Sequence, residues 1–177
     1  MKKLIIAAAI VCAAAFVQAA TVNWTISGVK AEGNTAPTAG WAVMAFYTEL
    51  NAGSDAIVTA IKDGKAASAA FETTTLAVGF GTGKVNAHDA SAAGITDTTK
   101  NYDFYFVVFN DADATKATEY AMVSDLNKAY SGMDAKFKAS GVFSSTTAWQ
   151  TTAVPEPTSG LLMLLGVAGL ALRRRRA

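Results

Sequence analysis

Residues 154–177 read as a targeting tail rather than as a buried helix of a water-soluble core, and this reading confines the fold to the residues that precede them. Pro155 and Pro157 each fix φ and push the preceding residue out of the α region, so Val154-Pro155-Glu156-Pro157 is extended and cannot join a following helix. Leu161 to Leu172 then runs for twelve residues without a charged or polar side chain, six of them leucine. At about −0.3 to −0.6 kcal/mol for each leucine and valine, insertion of this run into lipid is favoured by roughly 2 to 4 kcal/mol. The run is apolar on every side, whereas a soluble-core helix has one apolar stripe and one polar face. Arg173, Arg174, Arg175 and Arg176 close it and, by the positive-inside rule, hold the C-terminus in the cytoplasm. A helix from Thr158 to Leu172 covers roughly 22 Å against a hydrocarbon core of about 30 Å. That mismatch suits temporary retention better than permanent anchoring.

An extended Pro-Glu-Pro strip, a short hydrophobic helix and a terminal arginine cluster, in that order, resemble the PEP-CTERM sorting signal of bacterial envelope and secreted proteins. The matching residues are Pro155, Glu156 and Pro157, then 161–172 as transmembrane helix and Arg173 to Arg176 as stop-transfer block, in the last 24 of 177 residues. The resemblance implies processing near the Pro-Glu-Pro motif by an exosortase, a membrane-embedded cysteine protease or transpeptidase. It further implies release or attachment outside the inner membrane, and an association with exopolysaccharide or biofilm production.

The N-terminus is also a targeting segment. Met1-Lys2-Lys3 is a positive n-region, Leu4 to Phe16 is apolar, and Val17 and Ala19 supply the small residues of a signal-peptidase site, with cleavage expected after Ala19. Cys12 is preceded by bulky Val11, which argues against a lipoprotein site, and its removal leaves a mature chain without cysteine. The protein then enters an oxidising compartment with neither disulfides nor thiol chemistry.

Between these addresses lies the passenger domain, 20–153, enough for one domain. From Ala20 to Pro157 nine lysines face fourteen acids, a net charge of −5 hidden by the near-neutral total. Such a domain lacks the basic face that nucleic acid requires. Its periodicity is that of strands. Val22, Trp24 and Ile26 alternate with polar residues, Trp41 to Thr48 is apolar on both faces, and Tyr102 to Phe109 reads as the central strand. Ala31 to Gly40 is a loop by its punctuation. Lys62-Asp63-Gly64-Lys65 predicts a hairpin between Ala56 to Ile61 and Ala66 to Phe71, although the alanine-rich second arm has helical character. Further strands are expected at Thr73 to Phe80, Glu119 to Ser124, Gly141 to Ser145 and Ala148 to Val154, with a turn or short helix near Asp125 to Tyr130. About eight short strands make an all-β antiparallel sandwich, followed by the single C-terminal hydrophobic helix.

No chemical motif survives comparison with a simpler explanation. Gly79 to Lys84 lacks the residues of a Walker loop or a dinucleotide fingerprint and reads as a flexible loop. Asn110-Asp111-Ala112-Asp113 has oxygen ligands suited to calcium but not the rest of a calcium loop, so it reads as turn formers. His88-Asp89 reads as a solvated loop, since one histidine makes no multi-histidine metal site. Glu49, Glu72 and Glu119 are the candidates for a glycosidase carboxylate pair. Trp24, Trp41 and Trp149 are candidates for stacking on sugars, Trp24 reading as core. The expectation is therefore a non-enzymatic, exported structural or adhesive protein without cofactor or metal. The alternatives are a carbohydrate-binding sandwich and, less favoured, a glycoside hydrolase. Expected partners are signal peptidase, an exosortase-like protease, the inner membrane in passing and extracellular polysaccharide. The expected destination is the cell envelope or the exterior.

Overall fold

The structure, a computed structural model, describes residues 20–92, 94, 95, 97, 99–129, 136–144 and 146–152. The signal segment with Val17 and Ala19, the Pro-Glu-Pro motif Pro155 to Pro157, the apolar run and Arg173 to Arg176 lie outside the described residues. Among the described residues no helix is long and apolar enough to cross a membrane.

Among the described residues, nine strands form two sheets. β1 (Ala20–Val29), β4 (Ala77–Gly79), β5 (Thr82–Ala92) and β8 (Lys136–Val142) make the first, in the order β4-β5-β1-β8. β2 (Ala42–Glu49), β3 (Glu72–Thr75), β6 (Asn101–Phe109), β7 (Glu119–Ala129) and β9 (Trp149–Thr151) make the second, in the order β3-β2-β6-β7-β9. The expected sandwich is present. All pairings are antiparallel except β1 with β8, which runs parallel from Thr21↔Lys136 to Ser27↔Val142.

The core follows from the alternation in β1. Val22, Trp24 and Ile26 are buried between the sheets, where the Trp24 indole stacks on Phe106 at 5.1 Å and Phe137 stacks on Phe104 at 4.7 Å. β6 is the middle strand of its sheet, as its aromatic composition predicts, and both its faces are covered. The outer face, with Met44, Phe46, Tyr105, Val107 and Phe109, packs under Ile57 and Ile61 of α1 (Asp55–Lys62) and Ala66 of α2 (Ala66–Ala69).

These two helices replace the predicted hairpin. Gly64 has φ +69°, as an Asp-Gly hairpin turn requires, but here that angle closes a helix. Its N–H donates to the Ile61 carbonyl at 3.0 Å and the Lys65 N–H to that of Ala60 at 2.8 Å, the two bonds of a Schellman cap.

Three other expectations change. Thr73 to Phe80 is not one strand: the chain passes from the second sheet to the first at buried Leu76, whose carbonyl accepts the Gly40 N–H and whose N–H donates to the Trp41 carbonyl. β7 continues through the expected turn at Asp125 to Ala129, because the turn-like composition serves a bulge at Asn127, φ +57°. β5 crosses both stretches read as loops. Gly79 to Lys84 is a hairpin tip in which Phe80 and Gly81, φ +53° and +72°, form the two-residue turn between Gly79 and Thr82. His88 and Asp89 form a bulge opposite Asn23, whose Oδ1 accepts the Asp89 N–H at 3.0 Å.

Candidate functional site

One end of the sandwich gathers the features that bear on function. β1 and β6 finish there, β7 and β5 begin there, and the chain leaves there after β9. The elements are tied together at this end by hydrogen bonds. The Trp149 Nε1–H donates to the Lys30 carbonyl at 3.1 Å, and the Lys30 ammonium donates to the Gly81 carbonyl at 2.8 Å. β9 pairs with β7 through Ala121↔Trp149, Tyr120↔Gln150 and Glu119↔Thr151. The next residue, Thr152, is buried; its N–H donates to the Thr118 carbonyl at 2.9 Å and its hydroxyl to the Ala117 carbonyl. Thr152, a residue that no local sequence signal singles out, is thus fastened to this end of the sandwich.

The carboxylates do not converge as a glycosidase pair. Glu49, opposite Tyr102, is at the far end of the second sheet from Glu119. Glu72 accepts the Trp24 indole N–H at 2.7 Å and so completes the polar part of a core residue. Glu119 instead meets Glu32, in the short 3-10 turn after β1 that the sequence reading passed over. Desolvation and the neighbouring Glu32 carboxyl hold Glu119 above its usual carboxylate range, while the Asn110 side-chain amide, donating at 3.3 Å, works against that rise.

Asn110 to Asp113 is a set of turns, as expected. Asn110 Oδ1 accepts the N–H groups of Thr118 and Glu119 at 3.0 and 3.1 Å, and Asp111 Oδ1 accepts that of Asp113 at 2.8 Å. Asp113 accepts both the hydroxyl and the N–H of Thr115 and pairs with Lys116; these bonds lower its pKa. Among the described residues no group of three His, Cys, Asp or Glu side chains is placed to hold a metal ion.

The tryptophans form no exposed row. Trp24 is in the core, and Trp41 and Trp149, both half-buried, meet edge to face at 5.6 Å. Trp149 also walls a cleft of about 190 Å³ with Lys30, Glu32, Asn34, Ser144 and Thr147. A second, mostly apolar cleft of about 250 Å³ lies between α1, α2 and the 112–115 turn, above Ala42 and Met44.

The family model of the PEP-CTERM protein-sorting motif matches residues 153–176. The match begins at the residue after Thr152. No curated protein and no solved structure matches the chain. The motif implies export through the membrane and processing by an exosortase, to the cell envelope or beyond.

Proposed function

We propose that the sandwich is a structural or adhesive passenger of the bacterial envelope or extracellular matrix. In this reading the signal segment 1–19 delivers it to the inner membrane, Arg173 to Arg176 arrest its translocation, and an exosortase acts at Pro155-Glu156-Pro157. The observation that carries it is the match at 153–176. Ala20, the residue that cleavage after Ala19 would leave first, is paired with Ala92 and buried. A non-catalytic passenger is supported by Glu72 and Asp113, which are engaged in a core contact and a turn, and by Glu49, which is at the far end of the sheet from Glu119. An association with exopolysaccharide remains the natural setting for such a protein. The Trp149 cleft, with its indole, amide and hydroxyl groups, supports carbohydrate binding as the second reading.

Fractionation of the native host with intact-mass measurement tests the sorting reading. Wild-type protein is expected to lose the arginine block. Glu156→Ala is expected to leave a membrane-held precursor, and uncharged replacements of Arg173 to Arg176 to weaken retention, because a twelve-residue apolar run has little insertion free energy to spare. Wild-type protein that keeps Arg176 and stays in the inner membrane would show the tail to be an ordinary anchor.

A further inference from the structure

We propose that, before processing, the end of the sandwich from which the chain leaves rests on the outer leaflet of the inner membrane, with Phe80 seated among the lipid headgroups. This rests on the sorting reading above. Eight residues, 153–160, separate Thr152 from the apolar run, and fully extended they span at most about 26 to 29 Å. The exit end of the domain can therefore lie no farther than this from the apolar run, a limit that does not bind the opposite end.

Phe80 is the side chain that this placement explains. It stands at the tip of the β4–β5 hairpin with a relative exposure of 109 % and φ +53°. Both central positions of such a turn require positive φ, which Asn, Asp and Gly adopt at least cost. Phenylalanine adds backbone strain and full exposure of an aromatic ring to water, and no contact within the described fold offsets either. An aromatic ring at a membrane surface gains by burial at the boundary of headgroups and acyl chains. Val142, 70 % exposed, lies at the same end on the edge strand β8, opposite Ser27. Glu32, Asp111, Asp113 and Glu119 share this end with Lys30, Lys84 and Lys116, so the surface carries both signs of charge and suits zwitterionic headgroups. Leu126, 53 % exposed, is an apolar side chain of similar visibility towards the other end of β7 and serves as the internal control.

The test uses the full chain in its host, with Glu156→Ala to accumulate precursor and a photoreactive benzophenone side chain in place of either Phe80 or Leu126. Irradiation is expected to join phospholipid to the chain labelled at 80 and not to the chain labelled at 126. Equal labelling at both positions, no lipid adduct at 80, or a protein adduct there in its place would overturn the proposal. If the precursor is absent from the membrane fraction, the sorting reading fails and this one with it; if it is present without a lipid adduct at 80, only this one fails. In a Glu156 background, Phe80→Asn is expected to raise the melting temperature, since Asn-Gly suits the turn, yet to slow processing, with Phe80→Trp restoring the rate. A purely structural Phe80 would move stability and processing together.

Discussion

The carboxylate of Asp103, 4 % exposed, accepts the N–H of Asn51 at 2.9 Å and that of Asn127 at 2.8 Å. Both asparagines have positive φ, so one side chain stabilises two backbone irregularities, one in the turn after β2 and one on β7. Asp103→Ala strands two N–H donors and is expected to cost about 2 to 4 kcal/mol. Asp111→Ala, which loosens an exposed turn, is expected to cost less than about 1 kcal/mol. Urea unfolding with an unchanged slope measures both. The contact between Glu32 and Glu119 works in the opposite sense. Because the folded-state pKa of Glu119 is raised, its stabilising contribution is complete below the unfolded pKa and is lost as pH rises through the folded one. Above the folded pKa that contribution is absent, desolvation and then the Glu32 carboxyl being what disfavours the charged form of Glu119. Glu32→Gln is expected to raise the melting temperature at pH 7, by an amount within that of an exposed charge pair, about 1 kcal/mol or less. The same substitution should leave stability unchanged at pH 3, and thermal melts across that interval read the difference.

β1, β2 and β6 were legible because their side-chain pattern states how many faces are covered: one for β1 at its wet positions, two for the inner strands. The helices were not. Ala56 to Ile61 satisfies period two as well as the four-residue spacing of Ile57 and Ile61, and only the open outer face of β2 and β6 selects the helix. Asp63-Gly64 is ambiguous for a related reason, since positive φ serves a hairpin turn and a Schellman cap alike. β5 was hidden because its inward residues are small: Val85, Ala87, Ala90 and Ala92 carry little apolar contrast against the alternating polar positions. The division of Thr73 to Phe80 at Leu76 has no local mark, because each half is a sound strand and only the sheet it joins differs. Of the sites, the sorting motif was legible through its covalent order. The meeting of Glu32 with Glu119 was not, as it joins positions 87 residues apart (119 − 32).

Residues 20–152 contain both sheets, both helices and the closing bonds of Thr152, and this segment alone is expected to unfold in one cooperative transition with a β-type circular dichroism spectrum. Ending the chain at Ala148 removes β9 and the packing of Trp149 on Trp41, and is expected to lower stability by about 3 kcal/mol or more. A helix-dominated spectrum of 20–152, or equal stability of the two segments, would contradict this account of where the domain closes. The sorting motif at 153–176, the acidic, cysteine-free composition of the middle and its β character were readable from the chain, because hydropathy, charge order and proline stereochemistry act within a few neighbouring residues. Other features depended on the folded arrangement: which strand meets which, the parallel seat of β8 beside β1, the crossing at Leu76, and the side chains gathered at the exit end. Each joins residues tens of positions apart, where the outcome depends on loop closure and on the fit of whole faces, and local pattern carries neither.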